Sequence, residues 1–281
     1  MYVNFGPSNL VTTKIDQRTK HMRKRAYSSK SKSQMKSTFT TKLIHAYLSH
    51  DQYPNLLADD PSATIEFAYE IQKEFVNQID DEPIGYKAAV TAEPMQKMMG
   101  IEAPISGVLF KSGDYSNRTN IKSARELLIE TELGFETGVA ITDPVKPKEV
   151  YALIDCFYPM IELASPNLTS RPSGIDLVAS NSASFGFIKG NRFDCNAIDP
   201  DSIDVSLNHE GTNLHSNRCN NVMSGQASAL SWLINQIISQ YGVVESGSLL
   251  MSGSVGPAHP GRSGKYNAKF EKLGEINFTI E

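Results

Sequence analysis

Two stretches near the start of the chain carry apolar residues at helical spacing. Between Thr38 and His50, the residues Leu43, Ile44, Tyr47 and Leu48 fall on one side of a short helix. A loop with Pro54 and Pro61 follows. Over residues 62–79 the period is stronger: Ile65, Ala68, Tyr69, Gln72, Phe75, Val76 and Ile79 share a face. Ser62 stands where an N-cap is needed, and Glu82-Pro83 stops the helix. From residue 84 the rhythm changes to short apolar runs broken by Gly, Pro, Asn and Ser. These predict strands at 84–90, 106–110, 127–141, 153–163, 184–189, 203–209, 248–253 and 266–280. Helices interrupt at 92–98, 144–155 and 225–240, the last ending near Gly242. Asn208-His209-Glu210-Gly211 predicts a hairpin turn.

The pattern is that of an α+β protein in three parts. Residues 1–37 form a basic tail, 38–105 a small helical N-terminal unit, and 106–281 a β-rich domain. No apolar run reaches 18 residues, so no membrane span is expected. Charge is divided unevenly. Residues 1–36 hold nine Lys/Arg and one acid, a net of +8; the rest holds 18 bases and 30 acids, a net of −12. An acidic body excludes nucleic acid as the main partner, because phosphate contacts need clustered Lys and Arg. The tail is Ser-rich and acid-poor, and Arg25-Ala26-Tyr27-Ser28-Ser29 resembles a mitochondrial processing site. It reads as a transit peptide, a plain tail, or a basic arm for anionic surfaces. The matching locations are the mitochondrial matrix for the first, and the cytoplasm if the protein is bacterial. Cys156, Cys195 and Cys219 make no CxxC pair, so neither a disulfide framework nor a zinc site is expected.

The most informative chemistry lies in Leu127–Glu136. Alternate side chains of a strand share a face, so Ile129, Thr131, Leu133 and Phe135 point one way. Glu130, Glu132 and Glu136 point the other, with Gly134 leaving a gap between them. Carboxylates at i and i+2 sit roughly 7 Å apart at the backbone and can converge on a hard cation; a solvated acidic face is the other reading. Glu162, among Met160, Ile161 and Leu163, must face water, a cation or a partner. Lys87 ends the short apolar run Ile84-Gly85-Tyr86 and can meet an anionic substrate or carry a proton. His259, in Gly256-Pro257-Ala258-His259-Pro260-Gly261, reads as a surface turn or an active-site lid. Arg171 and Arg192 read as solvated surface or as a reader of a second substrate carboxylate.

The ordered segments Gly85-Tyr86-Lys87, Gly107-Val108-Leu109-Phe110, Glu130-Thr131-Glu132 and Pro159-Met160-Ile161-Glu162 resemble a known family. So do Asn181 through Gly190, Gly225-Gln226-Ala227, Ser252-Gly253-Ser254 and Phe270-Glu271-Lys272-Leu273-Gly274. The family is the 2-keto-4-pentenoate hydratase and 4-oxalocrotonate decarboxylase group of the fumarylacetoacetate hydrolase superfamily. The resemblance implies a fumarylacetoacetate hydrolase-like catalytic domain and a lyase working on a small 2-oxo or 2-hydroxydienoic acid. Glu130, Glu132 and Glu162 would hold Mg²⁺ or Mn²⁺ and stabilise an enolate. Lys87 would bind substrate and assist proton transfer, with Ser184 as a second catalytic residue and Asn181 and Ser254 binding substrate. Hydration is the first activity implied, decarboxylation of a 2-oxo diacid the second, and a fold-retaining, non-catalytic partner subunit the third. A homo-oligomer, dimer or larger, is implied as well. Two departures matter. Ser180 stands where many members carry Asp, and the family Ser falls on Ala183 or, with a one-residue shift, on Ser184. No His-x-x-Glu dyad lies near residues 84–110, which disfavours C–C hydrolysis by activated water.

Overall fold

Three helices open the described part of the chain, and their apolar faces meet one another. A computed structural model describes residues 32–195 and 197–281. The segment 1–31, and with it the transit-peptide and basic-arm readings, lies outside the described residues. Helix α1 spans 32–49, so residues 32–37 belong to its first turns rather than to the expected tail. After α2 (Leu56–Asp59) comes α3 (Ile65–Gln78). Thr64, not Ser62, caps α3: its hydroxyl accepts the Phe67 N–H at 3.3 Å, while Ser62 donates to the Asp60 carboxylate. Phe39 and Leu43 of α1 and Phe67, Ala68, Ile71 and Phe75 of α3 are buried together, with Tyr47 edge-on to Phe75.

The strands follow as β1 (Pro83–Ala89), β2 (Ile105–Phe110), β3 (Asn120–Ile121), β4 (Leu128–Thr137), β5 (Ile154–Ala164) and β6 (Ser184–Lys189). The chain continues through β7 (Asp204–His209), β8 (Thr212–Arg218), β9 (Leu249–Met251), β10 (His259–Pro260), β11 (Gly264–Phe270) and β12 (Gly274–Ile280). Between them lie α4 (Glu93–Met99), α5 (Gly174–Ala179) and α6 (Gln226–Tyr241), which stops at left-handed Gly242. The helix expected at 144–155 is a 3₁₀ segment, Pro147–Leu153, running straight into β5. The strand expected at 266–280 is two strands turning at residues 271–273. The hairpin turn is found at Glu210-Gly211, both left-handed, between β7 and β8.

Among the described residues these strands make two sheets. The larger runs β2-β1-β9-β4-β5-β6, with β10 paired to β4; the smaller runs β3-β12-β11-β7-β8. Because β1 and β2 are antiparallel partners, with Lys87 opposite Gly107, the large sheet begins at Pro83. The boundary expected at residue 105 therefore divides a strand pair. One face of β4 and β5 (Ile129, Leu133, Phe135, Phe157, Ile161, Leu163) packs on Val205, Leu207, Tyr266 and Phe278 of the small sheet and on Leu230, Leu233 and Ile234 of α6. The other face lines the hollow of a curled sheet whose ends meet. Ser184 Oγ donates to Val108 O at 2.8 Å, and Tyr115 N–H to Phe187 O at 2.8 Å. Leu109, Tyr158, Met160, Phe187, Leu249 and Met251 fill part of that hollow.

Candidate active site

Strand register delivers the acids to one place. Glu130 on β4 lies directly opposite Glu162 on β5, and Glu132 follows Glu130 on the same face. Ligand oxygens of all three lie within 4.8 Å of one another. Glu132 and Glu162 are buried and Glu130 is half-buried. Like charges directly opposed across a strand pair repel, so this arrangement needs a compensating cation. Lys87 supplies one positive charge. It reaches across the curl from β1, is 1% exposed, and its Nζ donates to Glu162 Oε1. Gly107, opposite Lys87, leaves room for the turn behind it: a Cβ there would sit 2.8 Å from Asn181 O and 3.1 Å from Ser182 Cβ.

One ammonium against three carboxylates leaves the cluster short of positive charge. Burial first, and the neighbouring Glu130 charge second, push the Glu132 carboxyl up to about 8, against the pull of Lys87 and the Gly253 N–H. Burial lowers the Lys87 ammonium, opposed by Glu130 and Glu132. Glu132 Oε2 accepts the Gly253 N–H at 3.0 Å, but the buried Oε1 has no partner among the described residues. A buried carboxylate oxygen without a donor is costly and calls for one. Three oxygen donors in this geometry suit a hard divalent cation. The residues present therefore fit such an ion.

Other expected residues sit nearby but are engaged elsewhere. Asn181 Oδ1 accepts from Val108 N–H at 2.7 Å and its Nδ2 donates to Val108 O at 3.0 Å. Its amide thus replaces a neighbouring strand for β2. Ser182 Oγ donates to Ser106 O at 2.7 Å, and Ser184 Oγ to the same Val108 carbonyl as Asn181. Ser254 Oγ turns back to Gly256 O at 2.8 Å. Ser180 Oγ donates to Asp176 O at 3.0 Å, at the end of α5. Residues 181–183 are all left-handed, with φ of 64°, 53° and 58°. Such backbone survives where hydrogen bonds over-determine it, here Ser182 N–H to Leu177 O and Ser165 N–H to Ala183 O.

The gap expected at Gly134 is filled: a Cβ would lie 2.0 Å from Met160 Sδ. Glu136 shares the face but stands apart from the cluster, where it accepts from Tyr158 Oη at 2.9 Å. It lies beside Asp155 and Cys156, and Arg192 pairs with Asp155 at 2.7 Å. Arg171 is exposed. His259 forms β10 instead of a free turn, and its ring meets His215. Sequence reasoning missed that pairing, because the two histidines come from different sheets and share no spacing. The Gly253 N–H as a partner of Glu132 is likewise invisible in the sequence, because 121 residues separate the two.

No family model matches the chain. A 2-oxo-hept-4-ene-1,7-dioate hydratase of Escherichia coli is 26% identical over 255 residues, 84% of this chain and 94% of the relative. A 2-hydroxyhexa-2,4-dienoate hydratase of Comamonas testosteroni is 26% identical over 256 residues, 85% and 95% of the two chains. The fold matches that of 4-oxalocrotonate decarboxylase from Pseudomonas putida G7, solved with magnesium and adipate. The TM-score is 0.83 at 21% identity, covering 89% of this chain and 98% of that one. Fumarylpyruvate hydrolase from Pseudomonas aeruginosa, solved with Mn²⁺ and pyruvate, matches at a TM-score of 0.53 and 13% identity, over 69% and 88%. The chain has the fumarylacetoacetate hydrolase-like fold and is similar to that superfamily's hydratase and decarboxylase group along most of its length.

Proposed function

We propose that this chain is a divalent-metal-dependent lyase that adds water to a 2-hydroxydienoate or 2-oxoalkenoate. The reading is carried by one observation: three convergent glutamates, one with an unpartnered buried oxygen, beside a buried lysine. Similarity to hydratases over more than four fifths of the chain supports it. Glu130, Glu132 and Glu162 hold the ion, Mg²⁺ or Mn²⁺. When bound, it supplies Lewis-acid stabilisation of negative charge on the substrate's 2-oxygen. Lys87 Nζ, hydrogen-bonded to Glu162, attracts the substrate carboxylate and carries the proton that moves between the dienol and carbon. Met160, Met251 and Leu249 exclude water from the hollow beyond the cluster. Decarboxylation of a 4-oxalocrotonate-type 2-oxo diacid is the second reading, favoured by the close fold match to such an enzyme. The intact cluster of Lys87 and three glutamates counts against a non-catalytic subunit.

The test is turnover of 2-hydroxypenta-2,4-dienoate and of 4-oxalocrotonate, with added Mg²⁺ or Mn²⁺ and with chelator. Loss of dienol absorbance without CO₂ release is expected, abolished by chelator. Glu130→Gln and Glu132→Gln should each cut the rate by about 100-fold or more, the scale of lost stabilisation of a developing oxyanion. CO₂ release would select the decarboxylase. Metal-independent turnover, or variants at wild-type rates, would refute the site. The homo-oligomer implied by the resemblance is part of this proposal. The bacterial relatives give the transit-peptide reading of the N-terminus no support. No described helix is long and apolar enough to cross a membrane.

A further inference from the structure

The segment between β9 and β10 caps Glu132 and is fastened to β4 along its length. Ser252 N–H donates to Leu133 O at 3.1 Å, Gly253 N–H to Glu132 Oε2 at 3.0 Å and Val255 N–H to Thr131 O at 2.9 Å. His259 then pairs with Ile129. Side chains hold the far end too. His259 Nε2 lies 2.9 Å from His215 Nδ1, and His215 Nε2 lies 3.1 Å from Thr131 Oγ1. A hydrogen-bonded chain thus runs from the end of the cap, through β8 of the second sheet, to the reverse face of β4. It arrives at the buried residue between Glu130 and Glu132. Gly256, midway along the cap, packs against the same histidine: a Cβ there would sit 3.1 Å from His215 Nε2 and 2.8 Å from Asn217 Nδ2, so a side chain would crowd them.

We propose that Thr131, His215 and His259 are positioning residues for the metal centre, tying the cap that carries the Gly253 N–H to the strand that carries Glu130 and Glu132. The proposal rests on the reading of those glutamates as metal ligands. Successive strand side chains point to opposite faces. Fixing Thr131 from behind therefore fixes the pleat from which both carboxylates project. The bond between the two rings needs an N–H on one facing nitrogen and a lone pair on the other, so the two histidines cannot both be protonated. Burial, with the neighbouring imidazole second, holds His215 down to about 4, and burial lowers His259. Both rings are then neutral near pH 7.

The test uses ¹⁵N-glycine-labelled, metal-free protein and follows exchange of the Gly253 amide. Mn²⁺ affinity is measured in parallel by calorimetry. His259→Phe and Thr131→Val should each speed Gly253 exchange and raise the Mn²⁺ Kd, both by about tenfold, the scale for partners that orient metal ligands. The Gly107 and Gly134 amides should keep their protection. His259→Gln, whose amide reaches the level of imidazole Nε2, should restore both quantities to within about threefold of wild type. Unchanged Gly253 exchange in both variants would overturn the tie. So would equal loss of protection at Gly107 and Gly134, which marks general loosening. A wild type that binds no Mn²⁺ would overturn the metal reading and the positioning role with it; the amide data, which need no metal, separate that failure from failure of the tie.

Discussion

Lys87 shows how much a single buried charge depends on its surroundings. Its ammonium is 1% exposed and donates to a carboxylate that is itself buried. Neither group is stable there alone. Lys87→Met leaves Glu162 with an unpaired buried charge, and should cost about 3–5 kcal/mol of folding stability in metal-free protein. Chemical denaturation measures it, and saturating Mn²⁺ should recover part of the loss while turnover stays abolished. A Met variant as stable as wild type, and still active, would show that Lys87 neither pairs with Glu162 nor moves protons. The position was legible in the sequence as a lysine closing an apolar run. Its partner was not, because 75 residues separate Lys87 from Glu162.

At the scale of elements, the turn at 181–183 decides how the large sheet ends. Asn181 satisfies both main-chain groups of Val108, so β2 closes against β6 through side chains where a strand would otherwise lie. Asn181→Ala leaves the buried Val108 N–H without a partner, while Ser184 still holds the carbonyl, and should cost about 1–3 kcal/mol. Urea unfolding gives the number. If Asn181 instead served substrate alone, the variant would keep its stability and raise KM. Elements with strong local patterns were readable: α3, α6 with its Gly242 stop, β6 and the Glu210-Gly211 hairpin. β8 was not. Thr212–Arg218 is an edge strand with a polar outer face, and a lone Leu214 gives no alternation to find. The Ser62 cap is not used because the chain turns into α3 two residues later, where the Thr64 hydroxyl accepts the Phe67 N–H.

For the whole molecule, the cluster couples stability to pH and metal. The Glu132 carboxyl is raised from 4.5 to about 8 on folding, so the metal-free folded chain binds the extra proton. Its contribution is full below pH 4.5 and is lost as pH rises through 8. A cation requires the ionised carboxylate. Mn²⁺ binding below pH 8 should therefore release a proton. Stabilisation at fixed Mn²⁺ should grow with pH and level off above 8. At about 100 times Kd the gain is about 2.7 kcal/mol, which for a chain of 281 residues raises Tm by about 4–5 °C. Melting curves at several pH values, with Mn²⁺ and with chelator, check this; a metal-induced shift that ignores pH would contradict it. By itself the sequence determined what is local: which residues alternate in a strand, that Glu130 and Glu132 share a face, and where helices stop. Those properties follow from backbone geometry over a few residues. The resemblance grouped Lys87 and Glu162 with those acids, but only the tertiary structure decided that Lys87 bonds Glu162 directly, that Met160 fills the space at Gly134, and that two histidines from separate sheets join behind Thr131. Each depends on how far the sheet curls and which layer packs against it, and that balance is struck by the whole core at once.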